Sequence, residues 1–145
     1  MKRHLLPALA WLALTGPLAA AQDVVTYPFH GSYDDSTFAI ENAIIERGLV
    51  IDQVNQIGAM LDRTAKDVGA TKRIYKHAQT YLFCSAVVSR AVMEADPLNI
   101  AYCPYKVFVF ETDEGVTIGH LKYPAGAMQQ AEKLVDGIAR EAAGG

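Results

Sequence analysis

Two thiols bracket the stretch of this chain in which residue types and spacing could do chemistry. YLFCSAVVSRAVMEADPLNIAYCPY runs from Tyr81 to Tyr105 and holds both cysteines, Cys84 and Cys103. Three chemistries suit such a pair. A disulfide would staple the fold if the chain is exported. A dithiol that cycles with its disulfide would make a redox centre, helped if Cys84 lies at a helix N-terminus, where the dipole favours thiolate. A metal or haem site would need Cys84 or Cys103 joined by His77 or His120. No C-x-x-C motif or ligand-spaced histidine pair is present, and both histidines read as ordinary strand residues. No cofactor is evident from the sequence, and metal or haem stays open only as the third alternative. Ser85 and Ser89 lie a helical turn apart but without a G-x-S-x-G elbow, so nucleophilic hydrolysis is not indicated. Neither a P-loop nor G-x-G-x-x-G occurs.

The segments around the cysteines must bring them together. From Cys84 the apolar positions Val87, Val88, Ala91, Val92 and Ala95 follow helical spacing, which predicts a helix over 85–96 stopped by Pro97, with Cys84 on its buried stripe. About a dozen helical residues carry the chain roughly 18 Å away. An extended run over 97–102 can return about 20 Å, so Cys103 can come back beside Cys84.

The remaining pattern predicts a strand that opens the run 24–35 and leads into a turn, and further strands over 49–57, 73–83, 105–111 and 115–123. Helices are expected over 37–47, capped by Asp35 or Ser36, over a short piece between Gly58 and Gly69, and over 124–143. TDEG at 112–115 joins two strands as a hairpin. The fold class expected is a single α+β domain, mainly an antiparallel sheet with helices packed on one face, in the order β-α-β-(short α)-β-α-β-β-α. The strand over 105–111 is apolar on both faces, with Phe108 and Phe110 on one side and Tyr105, Val107 and Val109 on the other. A central strand or a homodimer would explain this.

MKRHLLPALAWLALTGPLAAAQD reads as a secretory signal, with basic Lys2 and Arg3, an apolar run and an Ala19–Ala21 cleavage site. Interrupted by Pro7 and Pro17, the run falls short of the roughly 20 residues a spanning helix needs. Residues 1–21 are expected to be removed, leaving a 22–145 domain in the periplasm with no membrane attachment. Removing Lys2 and Arg3 from the 13 basic residues leaves 11 against 16 acidic ones, a net charge of −5. With those cations scattered, nucleic acid is not an expected partner.

Three further stretches, GLVIDQVNQIGAMLDRTAKDVG, FCSAVVSRAVMEADPLNIAYCPYKVFVFE and GVTIGHLKYP, resemble the domain of unknown function family 302 (DUF family 302). The likeness is greatest to an exported proteobacterial subgroup. The family's Cys-Asn-Pro and Pro-Cys stand here as Cys84-Ser85-Ala86 and Cys103-Pro104. Its Ile-Gly-Arg-Met-Asn stands as Ile118-Gly119-His120-Leu121-Lys122. The resemblance implies an α+β domain, often dimeric, and a use for the cysteines beyond a disulfide, because non-exported members carry them too. It leaves the activity open. The combined expectation is a periplasmic binding or accessory domain with a two-cysteine centre, taking a small ligand or a periplasmic protein partner. A thiol-redox or electron-transfer protein is the alternative.

Overall fold

In the computed structural model, which describes residues 23–145, β1 (Val24–Phe29), β2 (Ile51–Asn55), β3 (His77–Phe83), β4 (Tyr105–Thr112) and β5 (Gly115–Leu121) form one antiparallel sheet. The strand order is β1-β5-β4-β3-β2. Helices α1 (Tyr33–Ile45), α2 (Ile57–Thr64), α3 (Ala86–Ala95) and α4 (Gln129–Ala142) complete the domain, with a 3₁₀ turn over Pro97–Tyr102. The signal-peptide reading falls on residues outside this range. Within it, no helix is long and apolar enough to cross a membrane.

Alternation along the strands sorts the sheet into two faces. Tyr81, Phe83, Tyr105, Val107, Val109 and Ile118 are buried on the face carrying α1 and α4. Those helices supply Ile40, Ile44, Val135 and Ile138 to the same core, and α3 joins the layer through Val92 beside α4. Helix α2 instead packs against β3, with Gly58 close to the Ala78 backbone. The other face bears Phe108, Phe110, Thr80, Leu82 and Thr117 and no helix layer. β4 is the middle strand; its Tyr105, Val107 and Val109 side is buried under the helices, while Phe108 and Phe110 on the other side are only half-buried.

Several local expectations shift by a few residues for identifiable reasons. Helix α1 starts earlier than 37, because Ser32 is the N-cap and forms a capping box with Asp35. In that arrangement Asp35 is the third helical residue rather than the cap, and Ser36 is buried. The imperfect alternation in 49–57 is a β-bulge between Ile51 and Gln53. At the hairpin, Asp113–Glu114 form the two-residue turn, with Gly115 at φ 120°.

Gly119 is where two strands and a ring converge. A Cβ there would lie 2.6 Å from the Val25 carbonyl oxygen and 2.5 Å from the Phe108 ring. Because that oxygen belongs to the neighbouring strand, it cannot swing aside. Gly119→Ala is therefore expected to lower stability by about 2 kcal/mol through overpacking, measured by urea denaturation. Wild-type stability in the variant would refute the prediction.

Candidate functional site

The two cysteines come together. Their Sγ atoms are 3.1 Å apart, and both are free thiols. The ten residues of α3 climb about 15 Å, and the six of the 3₁₀ turn descend about 12 Å, so the excursion closes on itself. The return is thus a 3₁₀ turn and not the extended run expected. Asp96 caps it by accepting from the Leu98 N–H, and Asn99 donates to the Val92 carbonyl. The Cys103–Pro104 peptide bond is cis.

Cys84 is exposed, contrary to its expected place on the buried stripe. It precedes the N-cap, Ser85, whose backbone is extended at φ −116° and ψ 116° and whose hydroxyl accepts from Val88 N–H. Helical spacing therefore does not reach back to Cys84. The ridge of α3 that faces inward is Val88, Val92 and Met93, while Val87 is 80% exposed.

The surroundings of the sulfurs are hydroxylic, aromatic and acidic. Ser89 Oγ lies 3.9 Å from Cys103 Sγ and 3.3 Å from the Tyr105 hydroxyl. The rings of Tyr102 and Tyr105 both meet Tyr123 edge-on. Asp52, at the bulge between Ile51 and Gln53, lies near enough for its charge to act on the Cys84 thiol. Desolvation, the contact with Cys103 and the Asp52 carboxylate together push the Cys84 thiol up to about 12. The Tyr105 hydroxyl is also raised, first by burial. None of the groups acting on Cys84 is cationic, so the site lacks the electropositive setting that activates a cysteine. The sequence contained two signals for this environment that spacing rules do not use, the broken alternation at Asp52 and the tyrosines flanking Cys103.

Neither histidine joins the pair. His77 begins β3 and Cys84 follows its end, about 20 Å along the strand. Its ring stacks on Tyr33 at 4.9 Å. His120 is fully buried under α4. Its Nδ1 donates to the Leu121 carbonyl at 2.7 Å, and Nε2 lies 3.2 Å from Asp136 Oδ1. Asp136 also accepts from the Tyr27 hydroxyl and, at 3.0 Å, from Arg140. His120 is thus committed to a polar lock between α4 and strands β1 and β5. Among the described residues, no three His, Cys, Asp or Glu side chains converge as a metal site would require.

Residues 25–144 match the family described as domain of unknown function DUF302. Among solved structures, that of an uncharacterized conserved DUF302 protein from Bacillus stearothermophilus is similar, with a TM-score of 0.62 and 14% sequence identity. The likeness covers 86% of this chain and 95% of that one, and at this identity it concerns the fold alone. No curated protein matches the chain.

Proposed function

The chain belongs to the DUF302 family, and on that premise we propose that it is an exported, periplasmic binding or accessory domain in which Cys84 and Cys103 close into a disulfide. The observation that carries the reading is the 3.1 Å contact between the two sulfurs, about an ångström beyond bonding distance. Asp52 and the lack of a cation acting on Cys84 oppose thiolate formation. The reduced state therefore gains no electrostatic support against the disulfide.

Two measurements test this. Acid quenching and alkylation of the protein from freshly opened periplasm should leave both cysteines unmodified, on a chain that begins at Gln22. Recovery of a doubly alkylated dithiol would overturn the disulfide. The reduction potential is expected below about −300 mV, where structural disulfides fall.

The exposure of Cys84 favours a second reading, thiol exchange with a partner dithiol. The partner's thiolate attacks Cys84 Sγ, and a mixed disulfide forms as the Cys84–Cys103 bond breaks. Cys103 leaves as thiolate, 3.9 Å from the Ser89 hydroxyl oxygen, and takes up a proton from solvent. The partner's second thiolate then displaces Cys84, which is protonated in turn. Two electrons pass to the pair, and the partner leaves as a disulfide. Run in reverse, the Cys84 thiolate attacks the partner's disulfide and releases one partner thiolate, so Cys103→Ser, which cannot resolve the adduct, would accumulate a mixed disulfide at Cys84 in the periplasm. A Cys103→Ser protein recovered wholly free of adducts would leave the staple.

A further inference from the structure

The face of the sheet without a helix layer carries an aromatic cleft set against a basic rim. Phe108 and Phe110 project from that face of β4 with their rings stacked at 6.2 Å, and Tyr75 meets Phe110 at 5.4 Å. With Ile57 from α2 and Ala78 and Thr80 from β3, they enclose a cleft of about 330 Å³ that Lys106 also lines. Through Tyr75 and Phe110 it runs into a wider hollow of about 550 Å³ at the hairpin end. The glycine at 119 is part of the construction, because only a residue without Cβ leaves room for the Phe108 ring beside β5.

The charges here oppose the balance of the whole chain. Lys72, Arg73 and Lys76 line the hollow and Lys106 lines the cleft, against Asp113 and Glu114. Arg73 is paired with Asp62, and Lys76 with Asp113. Among the described residues, Lys72 and Lys106 have no ion-pair partner. From Lys106 to Phe110 the strand spans about 13 Å. An apolar floor of that length with a free ammonium at one end is what an amphipathic anion requires, and pockets that hold small molecules share this mix of apolar lining and few polar groups.

We propose that this cleft binds a free amphipathic carboxylate, its apolar body on Phe108, Phe110 and Tyr75 and its carboxylate paired with Lys106. This gives the binding reading a ligand class at residues distinct from Cys84 and Cys103. Failure here leaves the disulfide proposal standing, and the reverse also holds.

The test is titration of the full mature protein with monomeric octanoate, followed by amide chemical shifts and calorimetry, with octan-1-ol and octylammonium as comparators. Octanoate is expected to move the amides of Thr80, Lys106, Phe108 and Phe110 and to bind at least tenfold more tightly than octylammonium. Lys106→Gln should weaken octanoate about tenfold and leave octan-1-ol unchanged, whereas Phe110→Ala should weaken both. Lys106→Gln is a solvent-side change, so the test does not depend on the ring variant folding. Absence of these shifts, or equal octanoate affinity in Lys106→Gln, overturns the proposal. So does a dimer in sedimentation equilibrium that Phe108→Asp dissociates, because a second copy would then cover the face.

Discussion

Asp136→Ala is expected to lower stability by about 2–3 kcal/mol and the melting temperature by about 10 °C. The carboxylate accepts from Tyr27 and Arg140 at once and lies 3.2 Å from Nε2 of His120. Removing it strands the Nε2 edge of a fully buried imidazole, and breaking such a pair from one side costs more than the pair contributes. It also unties α4 from β1 and β5, the strands that hold the outer edge of the sheet. Arg140 lies on the surface side of this cluster, with its side chain 58% exposed. Arg140→Ala should therefore cost clearly less than Asp136→Ala. Urea denaturation of the two variants checks the ranking, and equal losses would contradict it.

The same carboxylate sets a pH dependence. Partial burial acts to raise its pKa, but hydrogen bonds from Tyr27, His120 and Arg140 and the charge of Arg140 prevail and hold it below the ordinary range. A group with a depressed folded pKa contributes stability that is complete above its unfolded value, about 3.9, and is lost as pH falls through the folded value. The stability gap between wild type and Asp136→Asn should therefore be larger at pH 5 than at pH 3, narrowing below about pH 4. A gap that widens on acidification would reverse the assignment.

How much of this was legible in sequence depends on which residues carried the information. Apolar spacing within an element identifies it, so the hairpin at Asp113–Glu114 and all four helices could be read with small errors at their ends. Strand order could not, because β1 finds β5 across more than 80 intervening residues through Tyr27 and its bond to Asp136. Chain reach permitted the meeting of Cys84 and Cys103 without requiring it, and the return path is a 3₁₀ turn. The direction of Cys84 did not follow, since one residue before the N-cap the helical period no longer applies. Asp52 sits at a bulge, and a bulge shows in sequence only as a lapse in alternation. His120 meets the carboxylate of Asp136, an outcome set by α4 and not by any local motif.

Oxidation of Cys84 and Cys103 is expected to stabilise the domain by about 3 kcal/mol over its dithiol form. The two residues are 19 apart in sequence, and closing a loop of that length removes conformational freedom chiefly from the unfolded chain. The native state yields little in return. The thiols already touch, and the loop they close is filled by α3 and the 3₁₀ turn, held to each other by Asn99 and to the core by Val92. Denaturation in urea with and without a phosphine reductant measures the difference. The double variant Cys84→Ser/Cys103→Ser should match the reduced wild type, which separates the effect of the bond from that of the thiols. Protection against amide exchange should drop most over 86–102, because without the bond this excursion can open by itself while the sheet persists. Equal stability of oxidised and reduced protein would show that the pair does not act as a staple, and would shift the weight to exchange chemistry at the exposed Cys84 sulfur.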